Sequence, residues 1–484
     1  MRSCARAHLK FACSLAKPSL GHPSCLARCA HFITNTRESF AAPPFMFVSN
    51  PPQLHQPRVL PFPASPTETR ARRVFLSLTA MRGVAALLVA FFHLRYGIMG
   101  VPLFDYHVFN FRFGGKGYLW VDFFFILSGF VLAYRYRDVC RELNLRIYWN
   151  FIWHRFARIW PLHLVTLIGA LLYLGYKHGI GFLAPSAVVA NLFLVHGWGR
   201  YFPPPLNFPS WSLSAEWGAY LILPLYLFVV GRVRSRAIHV LLVGALMAGL
   251  VEYARAFGHG TLDLLRERGG LERCLFQVGV GVSLFQLHDL FRKQNSPHDG
   301  NGVSVLAKLF DAAAALSFVA IFIVFTYTNN DLYFVPLAGA LIFCLSLSDG
   351  PFSKCLSLRP MVLLGEISFS IYMLHGFVLW FLQDIPATFK AKQGFGTGTL
   401  LLLGGFVLVL VMSYVSFRII EQPAHRILVR ARATAQPDAS TRLDLSSKEA
   451  KALILEWRLR LQRINDLPFS NVRPSLTNDN PLSD

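Results

Sequence analysis

The sequence predicts an all-α integral membrane protein with about ten transmembrane helices, because it is poor in charge and rich in long apolar stretches. Hydrophobic residues make up 54% of the 484 residues and charged residues only 15%, whereas soluble proteins carry roughly 25% charge. The mean hydropathy is +0.43. Crossing a hydrocarbon layer of roughly 30 Å takes about 20 apolar residues in a helix. Such stretches lie near 75–97, 117–136, 157–176, 212–231, 237–257, 271–291, 309–327, 332–348, 363–382 and 397–420.

Basic residues predict which helix ends face the cytoplasm. The net charge of +21 comes from 47 Lys and Arg against 26 Asp and Glu, and short cytoplasmic loops carry such an excess in membrane proteins. Arginines before the first span place the N-terminus in the cytoplasm, and an even number of spans returns the C-terminus there. The predicted inner segments contain Arg70, Arg72, Arg73, Arg135, Arg137, Arg141, Arg146, Arg155, Arg232, Arg234, Arg236, Arg292, Lys293, Lys308, Arg426, Arg430 and Arg432. Because these residues form no single patch, nucleic-acid binding is the weaker explanation.

The chain divides into three parts. Residues 1–72 are expected to be a disordered basic arm, or an artefact of translation begun upstream of Met46, followed by a Pro-rich linker. Residues 73–430 form the membrane domain. In the tail, 431–484, Ser446 and Glu449 resemble a capping box that opens a short amphipathic helix suited to anionic lipid. A shorter apolar piece, Ala187 to His196, is too brief to span the membrane. None of the eight Cys forms a CxxC pair, so neither a disulfide framework nor a metal site is expected.

Ionisable residues inside the first predicted span are functional candidates, because charge at membrane depth is costly unless it faces a cavity or a partner. Arg82 and His93 are eleven residues apart, which places them on one helix face about 16 Å apart along the axis. Snorkelling of the two side chains to opposite interfaces is the alternative explanation.

Five later segments add polar residues of interest. Asp122 lies among aromatic residues in the second span and needs a cationic or donor partner. Arg155 and Arg158 are one helical turn apart at the inner entrance of the third span, where guanidinium groups can bind phosphates or simply anchor the helix. The fourth span opens with Trp211, Ser212, Glu216 and Tyr220, and the ninth contains Ser368, Ser370, Tyr372 and His375. The topology puts His93, Asp122 and Glu216 at one depth near the outer face. Arg418 and Glu421 are expected to pair at the end of the tenth span.

These motifs resemble those of the integral-membrane O-acyltransferases of the acyltransferase 3 family over roughly Phe75 to Ile427. The resemblance rests on six segments in order, namely Leu78-Thr-Ala-Met-Arg82-Gly83 with His93, Val121-Asp122-Phe-Phe-Phe-Ile-Leu-Ser128-Gly129-Phe130, Arg155-Phe-Ala-Arg158-Ile-Trp-Pro161, Trp211-Ser212-Leu-Ser-Ala-Glu216, Ile367-Ser368-Phe-Ser370-Ile-Tyr372-Met-Leu-His375 and Phe417-Arg418-Ile-Ile-Glu421-Gln-Pro423. The first motif has Thr79-Ala80 where the family usually has Asp-Gly, which alters the surroundings of Arg82 and His93 but keeps both residues.

The resemblance implies an acyltransferase that moves a group other than an amino-acyl group, often acetyl, from cytoplasmic acyl-CoA to a hydroxyl on a carbohydrate or glycolipid. By motif, Arg82 and His93 are its essential pair, Glu216 belongs to its Trp-Ser-Leu segment, and Arg155 and Arg158 belong to its inner basic motif. This sequence has no appended extracellular hydrolase-like domain, so the resemblance implies that the chain acts alone or passes the acyl group to a separate partner protein.

The residue chemistry is compatible with this implication. Histidine is suited to take a proton from a hydroxyl near neutral pH, and His93 is the predicted base, oriented by Glu216 or Asp122. The same imidazole could instead carry the acyl group covalently. Arg82, Arg155 and Arg158 would hold acyl-CoA. Trp211, Ser212, Tyr220 and His375 are the predicted substrate contacts. No resident cofactor or metal is expected, and acyl-CoA is the donor substrate.

Two other classes of protein remain open from the sequence. The first is a secondary transporter with a proton relay, which should show inverted repeats that the sequence lacks. The second is a scaffold of a polysaccharide assembly complex. The basic inner face and the absence of a clear targeting signal favour a bacterial inner membrane.

Overall fold

The apolar stretches of the sequence form long α-helices in a computed structural model, which describes residues 66–97, 112–136, 144–199, 203–263, 269–294, 303–328, 330–385 and 397–435. Most of the predicted N-terminal arm and the predicted tail helix that opens at Ser446 lie outside these residues. The first helix begins at Pro66, inside the segment predicted to be a linker. The described part of the chain has no β-strand.

Fourteen α-helices follow one another along the described residues. They are α1 Pro66–Gly97, α2 Trp120–Tyr136, α3 Leu145–His178, α4 Pro185–Leu192, α5 Ser210–Val230, α6 Arg236–Gly258, α7 Gly270–Gln294, α8 Val303–Tyr327, α9 Phe334–Leu347, α10 Pro351–Leu356, α11 Arg359–Glu366, α12 Ser368–Asp384, α13 Thr397–Ser416 and α14 Gln422–Ala435. Short 3₁₀ turns cover Arg112–Leu119, Ile180–Phe182 and Asp331–Tyr333, and a π-helical turn, Phe417–Glu421, joins α13 to α14.

The predicted membrane character is confirmed. Within the described residues, eight helices are long and apolar enough to cross a membrane, and the bent pair α11 and α12 makes a ninth candidate. A shorter apolar helix, Asp331–Leu347, coincides with the predicted stretch 332–348. All ten predicted stretches therefore fall on apolar helices, while the number of spans and the side of each terminus remain predictions. The brief piece after Ala187 overlaps the eight-residue α4.

Apolar side chains cover the outward faces of the outer helices. Leu172 on α3, Leu316 on α8 and Leu400 on α13 are 71%, 68% and 69% exposed. In water such a surface would be unfavourable, whereas in a bilayer it meets lipid tails that are as apolar as leucine. The protein is an integral, multi-pass membrane protein, and its lipid-facing surface follows from these residues.

Glycines let the central helices approach closely. A Cβ on Gly129 of α2 would lie 2.2 Å from the carbonyl oxygen of Val278 on α7, and a Cβ on Gly281 would lie 2.0 Å from that of Ile126. Only glycine permits this backbone contact, as it does at small-residue helix crossings in membranes. Gly129 on α2 and Gly281 on α7 therefore bring these two helices into backbone contact.

A second close contact joins α1 to the bend between α11 and α12. The axes of α11 and α12 differ by 65°. A Cβ on Gly83 would lie 2.6 Å from the backbone nitrogen of Gly365, and one on Gly365 would lie 1.9 Å from the carbonyl oxygen of Thr79. The break in the ninth span is thereby pressed against the turn of α1 that carries Arg82.

Candidate active site

Three arginines predicted to bind the donor line one cavity. Arg82, Arg155 and Arg158 enter it from α1 and α3, and Glu216 enters from α5. The cavity has a volume of about 210 Å³. Its remaining lining comes mainly from α2, α5 and α12, and consists of Leu78, Thr79, Val121, Phe124, Phe125, Leu127, Ser128, Val131, Leu132, Ile159, Ser212, Leu213, Tyr220, Ser368, Phe369 and Tyr372. We call it the arginine cavity.

The helix bend fixes Arg82 at this cavity. Its Nε donates to Ser368 Oγ at 3.0 Å and its Nη2 donates to the carbonyl oxygen of Gly365 at 2.8 Å. That carbonyl lies near the end of α11, where helix carbonyls lack an intrahelical donor. Arg82 and the Ser368 hydroxyl, the latter at 2.7 Å, therefore both donate to the carbonyl at the helix break, and the Arg82 guanidinium borders the cavity.

Arg158 and Arg155 differ in how fully they are paired. Arg158 Nη1 forms an ion pair with Glu421 in the π-helical turn, and Ser370 Oγ donates to the other carboxylate oxygen at 2.9 Å. The expected pairing of Glu421 with Arg418 is therefore wrong. Arg155 donates through Nη2 to the Tyr136 hydroxyl at 3.3 Å, and its buried Nε has no hydrogen-bond partner among the residues that the structure describes. Arg158 therefore has a carboxylate partner, whereas the described hydrogen-bond partner of Arg155 is a neutral hydroxyl.

Glu216 faces the arginines rather than His93. It borders the arginine cavity together with Arg82 and with Tyr220, which lies one turn further along α5. Tyr220 also interacts with Ser128. Of the predicted substrate contacts, Ser212 and Tyr220 lie in this cavity.

His93 borders a second cavity of about 260 Å³, which we call the histidine cavity. Its lining residues are Phe92, His93, Tyr118, Val121, Phe208, Pro209, Trp211, Asp263, Arg273 and Tyr372. Val121 and Tyr372 belong to both linings. The Tyr372 hydroxyl is hydrogen-bonded to Ser212 Oγ at 2.6 Å, so this pair lies where the two cavities adjoin. Arg82 and His93, eleven residues apart on α1, thus border two neighbouring cavities.

The described partners of His93 are a backbone carbonyl and a second histidine. His93 Nδ1 lies 3.0 Å from the carbonyl oxygen of Val89 and 3.2 Å from Nε2 of His375. The rings of Phe92 and Phe208 pack on the imidazole, with centroids at 4.8 and 4.9 Å. His375 is fully buried and lines neither of these two cavities, and its predicted role as a substrate contact stays a prediction.

Asp122 has a structural partner that the sequence did not reveal. Arg273 of α7 donates to it through Nε at 2.8 Å and through Nη2 at 2.6 Å. Gln277 donates to Oδ1 as well. Asp122 is 0% exposed and Arg273 1% exposed. The described partners of Asp122 are thus Arg273 and Gln277, and the role of Asp122 in orienting His93 stays a prediction.

The same arginine positions Asp263 at the histidine cavity. Arg273 Nη1 donates to the carbonyl oxygen of Leu262 at 2.7 Å, and the Leu262 N–H donates to Asp331 at 3.1 Å. Asp331 also accepts from Lys116 at 2.5 Å and from the Tyr118 hydroxyl at 2.6 Å. Asp263 follows this fixed residue and presents an exposed carboxylate.

Asp263 and Arg273 were missed from the sequence, although one signal was present. Arg273 is a charged residue within an apolar span, which marks a functional candidate by the same rule that singled out Arg82. Asp263 lies in a loop, where nothing in the sequence distinguishes it. Within the described residues, no group of three or more His, Cys, Asp or Glu is arranged to hold a metal ion.

Comparison with known proteins agrees with the residue chemistry. A family model described as an acyltransferase domain matches residues 75–418. The chain is 28% identical over 351 residues to acyltransferase MdmB of Streptomyces mycarofaciens, covering 67% of this chain and 85% of that protein. It is 24% identical over 331 residues to peptidoglycan O-acetyltransferase OatA of Listeria monocytogenes, covering 64% of this chain and 50% of that protein. It is also 24% identical over 363 residues to O-acetyltransferase OatA of Staphylococcus aureus, covering 68% and 56%. The chain thus spans about half the length of these two O-acetyltransferases. No solved structure matches the chain.

Proposed function

The chain belongs to the acyltransferase 3 family of integral-membrane enzymes, and we propose that it moves an acetyl or similar acyl group from acyl-CoA to a hydroxyl of a carbohydrate or glycolipid. One observation carries the proposal: a cavity with three guanidinium groups adjoins a cavity with a histidine, and Val121 and Tyr372 border both. A phosphate-bearing donor and a hydroxyl acceptor would meet at that boundary. Family membership makes the chain an acyltransferase, so the transporter and scaffold alternatives lose their support.

The arginine cavity is suited to the donor. Guanidinium groups bind phosphate oxygens in paired, charge-assisted hydrogen bonds, and the remaining lining is largely apolar. A volume of about 210 Å³ is below the 300–1,000 Å³ of a typical ligand pocket. We therefore assign it the acyl group and the pantetheine arm, with the donor phosphates at the arginines and the nucleoside beyond its mouth.

Replacing Arg155 with alanine is expected to raise the KM for acetyl-CoA about ten-fold or more, since a lost hydrogen bond to a charged group is worth about 1.5–3 kcal/mol. Arg155 is the sharpest test because Arg82 and Arg158 also stabilise the fold. Initial rates over a range of radiolabelled acetyl-CoA concentrations provide the measurement. Arg234→Ala, which removes an exposed arginine from another predicted cytoplasmic loop, should leave the KM unchanged. An unaltered KM for acetyl-CoA in the Arg155 variant would contradict the proposal that the donor binds in the arginine cavity.

The histidine cavity is suited to a hydroxyl-rich acceptor. It offers a carboxylate from Asp263, a guanidinium from Arg273 and the aromatic faces of Trp211 and Phe208. Arg273 lies over the Trp211 ring at 5.4 Å. Acceptor and donor groups of this kind can hydrogen-bond sugar hydroxyls, while aromatic faces cover the apolar side of a sugar ring. Relatives named peptidoglycan O-acetyltransferases support a carbohydrate acceptor.

Asp263→Asn is expected to raise the apparent KM for acceptor roughly ten-fold and to leave the KM for acetyl-CoA unchanged, because it weakens a charged hydrogen-bond acceptor in one cavity only. An extract of bacterial envelope glycans and lipids, titrated into the labelled-acetate assay, serves as the acceptor. Asp289→Asn is the matched control, since Asp289 pairs with Lys293 outside both cavities. A shift in the acetyl-CoA KM instead would assign Asp263 to the donor.

In the proposed step, His93 takes the proton of the acceptor hydroxyl while the hydroxyl oxygen attacks the thioester carbonyl carbon. The new carbon–oxygen bond forms, the carbon–sulfur bond breaks, and the CoA sulfur leaves with the proton that the imidazole returns. Proton transfer by a positioned histidine contributes about 10²–10⁴-fold to such reactions. Tyr372 and Ser212, at the boundary of the cavities, would separate donor from acceptor before the reaction.

The proposed setting is the plasma membrane of a bacterium. The relatives described above are bacterial, and the positive-inside rule places the arginine cavity toward the cytoplasm and the histidine cavity toward the outside. Acyl-CoA would then enter from the inside and the acceptor from the outside, with both chain termini in the cytoplasm. A separate protein that receives the acyl group is compatible with this arrangement.

The deciding experiment is transfer of label from radiolabelled acetyl-CoA to the envelope extract, in membranes containing the wild-type protein or an empty vector. Incorporation that depends on the protein, sensitive to mild alkali as an O-ester is, would support O-acetylation. Absence of protein-dependent label, with several acyl-CoA chain lengths tried and insertion verified, would overturn the proposed function.

A further inference from the structure

His93 and His375 form a buried histidine pair that joins α1 to α12. His375 Nε2 lies 3.2 Å from His93 Nδ1, and the ring centroids are 5.0 Å apart. His375 is 0% exposed. Its other ring nitrogen, Nδ1, lies 3.3 Å from the carbonyl oxygen of Ile371, one turn earlier on α12. Both nitrogens of this buried ring therefore have described partners, as buried polar atoms require.

The backbone carbonyls decide where the ring protons lie. A carbonyl oxygen only accepts, so the contact between His375 Nδ1 and Ile371 requires the proton on Nδ1 and leaves Nε2 as an acceptor. The contact between His93 Nδ1 and Val89, at 3.0 Å, likewise requires the proton on Nδ1 of His93. The His93 Nδ1–H then points to both the Val89 carbonyl and His375 Nε2, and the contacts described here are mutually compatible.

From this arrangement we propose that His375 is a positioning residue that holds His93 with its proton on Nδ1 and its Nε2 unprotonated, the form a base needs. The proposal rests on the proposed function, in which His93 takes the acceptor proton. His375 would occupy the place for which the sequence suggested a carboxylate, namely Glu216 or Asp122. A neutral imidazole nitrogen supplies the required acceptor without placing a second charge in a buried site.

The same contact acts during the reaction. When His93 Nε2 takes the acceptor proton, the ring becomes a cation, and its Nδ1–H becomes a charge-assisted donor to His375 Nε2 and the Val89 carbonyl. Charge-assisted hydrogen bonds are about twice as strong as neutral ones, so the contact stabilises the imidazolium more than the neutral ring. No proton needs to move onto His375.

The test compares two substitutions of similar size. In His375→Gln, the side-chain carbonyl can reach the position of Nε2 and accept from His93. In His375→Leu, the side chain offers no acceptor, and the Val89 carbonyl is the one described acceptor left for the His93 Nδ1–H. We expect kcat of the Gln variant to stay within a few-fold of the wild-type value. We expect kcat of the Leu variant to fall roughly 10–100-fold, the effect of losing one hydrogen bond to a charged group. The KM for acetyl-CoA should be unchanged in both.

Two further readouts separate positioning from general damage to the fold. In a His93→Gln background, His375→Leu should cause no additional loss, because residues that act as one unit are not additive. Solid-state ¹⁵N NMR of histidine-labelled protein should show His93 protonated on Nδ1 in the wild type and the Gln variant, and a population protonated on Nε2 in the Leu variant. If the Leu variant fails to insert, His375→Asn, which is too short to reach His93, replaces it.

Different results overturn different statements. A wild-type protein that transfers no label overturns the proposed function, while the NMR comparison still tests the His93 tautomer. If the wild type is active and kcat falls equally in the Gln and Leu variants, the role of His375 is overturned. The same follows if His375→Leu lowers kcat by the same factor in the wild-type and His93→Gln backgrounds. A His93 ring protonated on Nε2 in the wild type overturns that role as well.

Discussion

His93→Ala is expected to lower kcat for acetyl transfer by about 10²–10⁴-fold, the contribution of a positioned acid–base group. The KM for acetyl-CoA should change little, because His93 borders the histidine cavity and the donor arginines border the other one. The measurement is label transfer from acetyl-CoA to the envelope extract, with protein inserted to the same level.

His154→Ala is the matched control for this variant. His154 lies on α3, and its Nδ1 is 2.7 Å from the Asn150 carbonyl oxygen, a contact of the same kind as that of His93, yet it lines neither cavity. Its loss should leave kcat near the wild-type value. Equal activity of the His93 variant and the wild type would show that His93 is not the base. Label recovered on wild-type protein without acceptor, and lost in His93→Ala, would assign the ring the covalent role instead.

Asp122→Leu is expected to destabilise the protein by about 3–5 kcal/mol, because it leaves the buried guanidinium of Arg273 without its counter-charge. The variant should lose its monodisperse peak in detergent at a markedly lower temperature than wild type. Glu252→Ala, which breaks a pair whose members are 69% and 65% exposed, should shift that temperature little, since surface pairs are worth about 0–1 kcal/mol.

The double variant Asp122→Leu/Arg273→Leu separates structure from chemistry. Replacing both members of a buried ion pair with apolar residues is often neutral, so the double variant should recover most of the lost stability. It should still use the acceptor poorly, because Arg273 also borders the histidine cavity and holds Leu262 beside Asp263. If the Asp122→Leu variant is as stable as wild type but has no measurable kcat, Asp122 acts directly in catalysis instead.

The sequence was sufficient to find which residues are unusual for a membrane. Arg82, His93, Arg155, Arg158 and Glu216 stood out because ionisable groups in apolar spans are costly, and all five border a cavity. The sequence did not reveal which of them meet. Arg158 pairs with Glu421, 263 positions away, and His93 meets His375, 282 positions away.

The sequence by itself determined the class of the protein, because apolar stretches long enough to cross a bilayer leave the backbone little alternative to helices. It also determined the spacing of Arg82 and His93, since both lie on one helix whose geometry is fixed. Only the tertiary structure decided that Asp122 pairs with Arg273 and that His375 lies beside His93. Those choices depend on how the helices are placed around one another. That placement is set by backbone contacts at Gly83, Gly129 and Gly281, between segments far apart in the chain, and local helix geometry does not specify it.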